Sequence, residues 1–317
     1  MKRSENVKPP SLDPSGGAQN KAPSGRFAPS PTGDLHFGSL LAAVASYCEA
    51  RSKEALWYLR IDDIDLPRSV PGSAERIQHS LRRYGLYWDG DIHWQSRRNS
   101  RYRQALARLI ELGLVFSCGC SRRSLPPGQI YPGTCRANRL RTIEEPVDDR
   151  ALRIVLPEHI EFNDGVQGLQ SLNLTEQVGD VVIWRRDKLV SYTLACAIDD
   201  AMDCTEVVRG ADLLPSTAAQ HALINYLSLI APAYAHIPVA ADANNDKLSK
   251  HSRAASIDSM NPVPTLHAAW RFLGQSAFAA ETLEEFWTHA IGRWQLQRVP
   301  ASLRKVSSTD GQATTWG

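Results

Sequence analysis

Arg26-Phe27-Ala28-Pro29-Ser30-Pro31-Thr32-Gly33, followed by His36-Phe37-Gly38-Ser39, decides how this chain reads. A short strand near Gly25–Ala28 runs into a stiff loop, because each proline fixes φ and Gly33 permits a sharp turn. From Gly38 to about Arg51, Leu40, Leu41, Val44, Ala45, Tyr47 and Cys48 read as an apolar helix, and Ala55–Ile61 reads as a buried strand. Ser73–Tyr84 and Arg97–Leu112 have helical spacing. This β-loop-α-β-α order predicts a parallel sheet with crossover helices. Its first strand-to-helix junction suits a phosphate. His36 at the helix mouth can donate to a phosphate oxygen, the helix N-terminus adds N–H groups and partial positive charge, and Gly38 allows close approach. Far downstream, Lys247-Leu248-Ser249-Lys250-His251 supplies two cations able to follow a departing pyrophosphate. Neither segment means much alone. In this order, with an α/β pattern between them, they point to ATP-driven activation of a carboxylic acid.

The chain has 317 residues and is 43% hydrophobic, enough for a sizeable core and about two domains. The net charge of +2 gives no global electrostatic argument, but between Ile92 and Ile143 Glu111 is the sole acid against Arg97, Arg98, Arg101, Arg103, Arg108, Arg122, Arg123, Arg136, Arg139 and Arg141. Such a stretch can make a footprint for nucleic-acid phosphates; the plainer alternative is a pair of solvated helix faces. No apolar run is long enough to span a membrane, and the N-terminus lacks an apolar signal core. Six cysteines in a chain of this length do not read as a disulfide scaffold, so a reducing, cytoplasmic setting is expected.

Residues 1–24 are rich in Pro, Ser, Gly, Asn and Lys and read as a disordered extension. Strands are expected at Ala151–Leu156, Val181–Arg185, Leu194–Ile198 and Thr205–Arg209, then a helix at Ser216–Ile230. Thr265–Leu273 and Leu283–Ile291 read as a short helical tail. Between the two α/β halves, Cys118–Leu140 has the texture of an inserted loop. Cys118, Cys120 and Cys135 within it suit zinc, which favours tetrahedral thiolate sites, and a small insertion with few core residues needs such a staple. Spacing alone leaves the fourth ligand open. Cys48, Cys196 and Cys204 read as packing residues.

The motifs carry a resemblance. Arg26–Ser39 resembles the HIGH region of class I aminoacyl-tRNA synthetases, and Lys247–His251 resembles their KMSKS loop. The wording R-F-A-P-S-P-T-G-x-L-H-x-G is similar to the glutamyl branch. Arg60-Ile61-Asp62-Asp63-Ile64-Asp65-Leu66-Pro67-Arg68 and Val208-Arg209-Gly210-Ala211-Asp212 match that branch as well. Only residues 251–317 follow Lys250, fewer than the usual anticodon-binding region. With Ser39 closing H-F-G-S, the chain therefore resembles the truncated paralogue, the glutamyl-queuosine tRNA(Asp) synthetase family.

The resemblance implies that L-glutamate is activated by Mg-ATP and then transferred to queuosine in the anticodon loop of tRNA(Asp), with no membrane or DNA partner. It implies His36, Gly38, Lys247 and Lys250 as catalytic residues, and His36, Gly38, Ser39 and Lys250 as ATP-binding. Glutamate would meet Arg26, Phe27, Ala28, Pro29, Ser30, Asp62, Tyr192 and Arg209. Arg26 and Arg209 supply guanidinium forks for carboxylates; Asp62, where the family often has Glu, would hold the ammonium, with Ser30 and Tyr192 giving neutral hydrogen bonds. The resemblance also supplies Tyr131 as the fourth ligand of one structural Zn2+, beside Cys118, Cys120 and Cys135, so that Arg122, Arg123, Arg136 and Arg139 are held against RNA. A structural alternative pairs Arg60 and Arg68 with Asp63 and Asp65 to brace the fold.

The expected architecture is α/β, a Rossmann-like doubly wound parallel sheet with a zinc-stapled insertion and a short helical C-terminal region. Its parts are an extension at 1–24, the first catalytic half at 25–115, the insertion at 116–150, the second half with the KMSKS-like loop at 151–251, and the helical region at 252–317. Competing functions are a compact enzyme charging a tRNA 3′ end and a non-catalytic zinc-containing RNA-binding protein.

Overall fold

A computed structural model describes residues 21–120, 130–143, 149–241 and 255–306. The expected extension therefore lies almost wholly outside the described residues, as does the whole of Lys247–His251.

The first half follows the β-α-β-α expectation closely: β1 (Ser24–Phe27), α1 (Phe37–Ser52), β2 (Leu56–Ile61), α2 (Ser73–Arg83), β3 (His93–Trp94) and α3 (Asn99–Glu111). Strands β1, β2 and β3 lie side by side and parallel, with Arg26 in register with Tyr58 and Arg60 with His93. Next come β4 (Val115–Cys118), β5 (Ala151–Ile154), β6 (His159–Asp164), β7 (Gly168–Asn173), α4 (Leu174–Gln177) and β8 (Val182–Trp184). Of these, β4, β5 and β8 form a small antiparallel sheet. The second half consists of α5 (Tyr192–Asp203), β9 (Glu206–Gly210), α6 (Leu214–Tyr226), β10 (Ala233–Ile237) and β11 (Val239–Ala241). Strand β10 runs parallel to both β9 and β6, and β7 closes that sheet antiparallel to β6. The two parallel sheets meet where Thr205 N–H donates to Ser24 C=O at 2.9 Å, just ahead of β9. The described residues end with α7 (Pro262–Phe272), α8 (Leu283–Arg293) and β12 (Arg304–Val306), which pairs with β11.

Strand alternation splits the sheet into two unlike faces. Phe27, Trp57, Leu59, Ile61, Val208, Ala235 and Ile237 join the apolar core built with α1. Arg26, Arg60, Arg209 and His236 occupy the intervening positions, all buried. A second apolar core, formed largely by α3, α5, α6 and the small sheet, closes over that polar layer.

The expected strand at Leu194–Ile198 is instead part of helix α5. Ser191 caps it, its Oγ accepting from Leu194 N–H at 3.3 Å. Ala195, Ala197 and Ala201 favour a helix, and burial on nearly every side removes the amphipathic period that would have distinguished the two states. The β6–β7 hairpin and β10 were not expected.

The C-terminal helices are not an appendage. Trp270, Phe286, Trp287 and Trp294 share one core with α1, Trp294 Nε1 donates to Glu49 at 2.5 Å, and Trp287 Nε1 donates to Tyr84 C=O at 2.9 Å. Trp270→Ala is therefore expected to cost about 3–5 kcal/mol and to weaken the whole chain in one transition. Urea unfolding followed by fluorescence and circular dichroism checks this; a separate low-stability transition of the C-terminal helices would contradict it.

Candidate active site and metal centre

The proline-rich loop after β1 is pinned on both sides. Asp62 N–H donates to Pro29 C=O at 3.0 Å, Val70 N–H to Pro31 C=O at 2.8 Å, and Ser73 Oγ to Gly33 C=O at 2.6 Å. These bonds deliver His36 to the N-cap of α1, where its Nδ1 accepts from Ser39 N–H at 3.3 Å. Gly38 fits closely beneath that ring: a Cβ there would lie 3.0 Å from His36 Cε1, and the imidazole would have to shift by a few tenths of an ångström. The glycine thus makes room for the imidazole. Where the described chain resumes after residue 254, Ser256 bridges to His36 and Ile257 N–H donates to Leu35 C=O at 3.0 Å. The segment following Lys247–His251 in sequence is therefore anchored beside the His36 turn.

The polar face of the sheet holds the strongest electrostatic feature. Asp200, on α5, is a fully buried carboxylate shared by three strand arginines. Arg26 forks onto it at 3.0 and 3.2 Å, Arg60 Nη1 donates at 2.6 Å, and Arg209 Nη1 lies 3.6 Å away. Burial alone would raise its pKa, but the charges of Arg26, Arg60 and Arg209 hold it well below the usual carboxylate range. Asp62 accepts the rest of the Arg60 fork at 2.6 and 3.2 Å. For Asp62 burial outweighs the Arg60 charge, and its pKa is raised. Tyr192, the first residue of α5, has a raised pKa through burial and through the nearby Cys196, with the Arg209 charge opposing. Three guanidiniums thus face two carboxylates directly, with a third buried carboxylate, Asp164, behind His236 on the far side of Arg209.

Of the residues expected at a glutamate site, Arg26, Asp62, Tyr192 and Arg209 are thus brought together. Phe27 is not: its side chain is in the opposite core, stacked on Trp57 at 6.4 Å. Ser30 is exposed, while Ala28 and Pro29 are half-buried in the pinned loop. Arg68 does pair with Asp65 at 2.6 Å, but Arg60 pairs with Asp62 and Asp200 rather than Asp63. Cys196 is no simple packing residue, since its thiol lies 3.5 Å from Arg60 Nη2 and 3.6 Å from Asp62 Oδ2. Sequence reasoning missed Asp200. Its signal was present: two adjacent acids, Asp199 and Asp200, interrupt an apolar run, and buried acids need partners.

Part of the arginine-rich stretch is engaged by acids and carbonyls of the protein, while Arg97, Arg103, Arg108, Arg139 and Arg141 remain exposed. Arg98 and Arg101 pair with Asp199 and Asp203, and Arg108 with Glu111. Arg136 forks onto Asp180 at 2.6 and 3.0 Å, and Arg139 donates to Gly113 C=O at 2.6 Å. Arg122 and Arg123 lie outside the described residues.

At the end of β4, the sulfurs of Cys118, Cys120 and Cys135 lie within 4.8 Å of one another. Cys120 and Cys135 are 3.7 Å apart, and Tyr131 Oη is 3.5 Å from Cys118 Sγ. Tetrahedral thiolates at ordinary zinc distances are separated by roughly 3.8 Å, so the donor set fits such an ion. Burial raises the Cys118 thiol, but its hydrogen bonds to Tyr131 and the Cys120 backbone, with Arg153, bring it down to about 7. Burial, then the bonds to Cys135 and Cys118, push the Tyr131 phenol up. Gly179 lets the loop close: a Cβ there would meet Ile130 at 2.6 Å. Only Phe116, Cys118 and Tyr131 form the buried core here, so little apolar packing holds this loop among the described residues.

Residues 24–290 match the family of class I tRNA synthetases (E and Q), catalytic domain. The glutamyl-Q tRNA(Asp) synthetase of Aromatoleum aromaticum is 43% identical over 88% of this chain and 91% of its own length. That of Escherichia coli strain K12 is 43% identical over 92% of this chain and 94% of its own. The chain belongs to the glutamyl-Q tRNA(Asp) synthetase family. In fold it is similar to a glutamate tRNA ligase from Elizabethkingia meningosepticum, with a TM-score of 0.74 at 23% identity, covering 91% of this chain and 67% of that one. The α/β class I synthetase-like architecture with its parallel sheet follows. Among the described residues no helix is long and apolar enough to cross a membrane.

Within this family member, Asp200→Asn leaves three buried guanidiniums short of their shared anion and is expected to cost about 3–5 kcal/mol at neutral pH. A carboxylate whose folded-state pKa is depressed stabilises fully above the ordinary aspartate range near 4 and loses that contribution as pH falls toward the lowered value. The deficit of Asp200→Asn in urea unfolding should narrow in acid. A deficit of constant size from neutral pH to pH 3 would contradict the assignment.

Proposed function

We propose that the chain activates L-glutamate with Mg-ATP and transfers the glutamyl group to queuosine in the anticodon loop of tRNA(Asp). The observation that carries the activation step is the buried cluster of Arg26, Arg60 and Arg209 at the carboxyl ends of β1, β2 and β9, where parallel sheets place ligands. Queuosine and tRNA(Asp) are supported by the names of the relatives.

In this reading Arg209 and Arg26 receive the carboxylates of glutamate. Asp62 and Tyr192 face the ammonium, Asp62 through the lone pairs that Arg60 leaves. The glutamate α-carboxylate attacks the α-phosphorus, and the bond to the leaving pyrophosphate breaks. His36 and the start of α1, with Lys247 and Lys250, stabilise the charge that builds on the phosphates. Gly38 keeps the imidazole seated, and Ser39 lies in the first turn. A hydroxyl of queuosine then attacks the activated carbonyl and AMP leaves. Cys118, Cys120, Tyr131 and Cys135 would hold one Zn2+, whose chemistry is structural: it ties β4 to a loop with little core of its own.

Glutamate-dependent exchange of labelled pyrophosphate into ATP, without RNA, is the expected first result. Transfer should then require tRNA(Asp) carrying queuosine; charging of a tRNA 3′ end instead would mark a compact glutamyl-tRNA synthetase, and no exchange with any amino acid would leave the RNA-binding alternative. Arg209→Lys cannot form the fork and should raise the glutamate KM on the order of ten- to a hundredfold.

For the metal, purified protein should contain one zinc per chain, and Cys135→Ser should lose it. That loss should impair transfer to RNA more than pyrophosphate exchange. Equal impairment of both would remove the loop from RNA recognition.

A further inference from the structure

Arg209 carries five N–H donors in one rigid plane. Three are spent inside the protein: Nε donates to His236 Nε2 at 3.0 Å, and Nη2 donates to Thr217 Oγ1 and Gln220 Oε1, each at 2.6 Å. The two on Nη1 make no hydrogen bond among the described residues, although the side chain is buried. Asp200 lies 3.6 Å from Nη1 as an ion pair without a hydrogen bond, and buried N–H groups left without an acceptor are costly unless a ligand takes them.

The opposite edge is held with unusual completeness. His236 is the register partner of Arg209 across β9 and β10, and it is fully buried. To accept from Arg209 its Nε2 must keep a lone pair, so the ring proton belongs on Nδ1. Nδ1 faces Asp164 Oδ2 at 2.5 Å. The other Asp164 oxygen accepts from the backbone N–H groups of Val166, Gln167 and His236 at 3.0, 2.8 and 3.0 Å. The carboxylate therefore cannot turn.

We propose that Asp164 and His236 are a positioning pair for substrate recognition: the carboxylate fixes the Nδ1–H tautomer, the imidazole lone pair holds Arg209 Nε, and Nη1 is thereby presented to a substrate carboxylate. The inference rests on the reading of Arg209 as a glutamate-binding residue. The groups around the imidazole are Asp164 from β6, Arg209 from β9, Thr217 of α6 with its Oγ1 2.9 Å from Nε2, Arg26 from β1, Tyr234 stacked at 6.0 Å within β10, and His221 of α6 against Tyr234. Burial lowers the His236 pKa, Asp164 opposes this, and the Arg209 and Arg26 charges add to it.

Asp164→Asn separates this from a merely structural role. Its carbonyl oxygen stays on the three backbone donors, so its amide NH2 faces His236 Nδ1. The ring proton is driven to Nε2, which can then donate to Thr217 Oγ1 but no longer accept from Arg209 Nε, so the grip on the guanidinium is lost. In pyrophosphate exchange the glutamate KM should rise on the order of ten- to a hundredfold while the ATP KM stays within about twofold. His236→Gln offers an amide oxygen to Arg209 and should raise the glutamate KM less; on that background Asp164→Asn should add nothing, since no tautomer is left to choose. A folded Asp164→Asn with the parental glutamate KM, or with equal rises for ATP and glutamate, overturns the proposal. Should that variant not fold, nitrogen NMR of the parent decides: an Nδ1–H imidazole supports the pair, and an Nε2–H ring or an imidazolium at neutral pH overturns it. A parent without glutamate-dependent exchange would refute the activity reading instead, leaving the tautomer measurement to judge the pair alone.

Discussion

One buried carboxylate organises this protein. Asp200 neutralises arginines from β1, β2 and β9, three strands that two separate halves of the chain contribute. Without it, this face of the sheet would carry like charges at close quarters in a low-dielectric layer, where repulsion is strong. With it, the halves are tied across the sheet, and the guanidiniums are held rigid before any ligand arrives. Such an ion cluster is weak evidence for stability gained over an apolar core. Its value lies in fixed cations, which an apolar core could not offer.

The two sheet faces divide the labour. Trp57, Leu59 and Ile61 pack against α1 and the C-terminal helices, so the apolar face supplies cohesion. The alternate positions on the same strands carry Arg26, Arg60 and Arg209 and are sealed from water by α5 and its neighbours. A one-residue slip in any of these strands would exchange the faces, driving a guanidinium into the core and an aromatic ring into the charged layer. Register is therefore policed by both faces at once, and the geometry of the site inherits that precision.

What could be read from the residues was what is local. The His36 turn, helix α1 and the Cys118–Cys135 cluster arise within short spans, and their spacing was legible. Arg26 and Asp200 lie 174 residues apart, and no pattern near either names the other. The α5 segment misled for a related reason: when a short element is buried almost all round, strand and helix leave the same apolar run, and Ser191 was the only local capping sign. The hairpin at β6 did alternate, with Ile160, Phe162 and Asp164 inward, but its inward acid hid the period. That acid is the one that grips His236. The arginine stretch is less free than its count along the sequence implies, because acids approach some of its members from elsewhere, here Asp180, Asp199 and Asp203.

The proposed substrate fits what the cluster lacks. Glutamate carries two carboxylates, and the N–H groups of Arg209 that lack a hydrogen-bond acceptor are suited to one of them. Arg209 offers only N–H donors at its open edge. A carboxylate can accept both, whereas the amide of glutamine presents one oxygen and one NH2, and the NH2 would face a donor it cannot satisfy. Rejection of the amide then follows from a buried polar group left unpaired, the kind of penalty that discriminates far more sharply than a difference in size. It works only if Arg209 cannot swing to meet the amide halfway. Its other edge is bound by His236, Thr217 and Gln220, so the discrimination depends on the rigidity of residues that never touch the substrate.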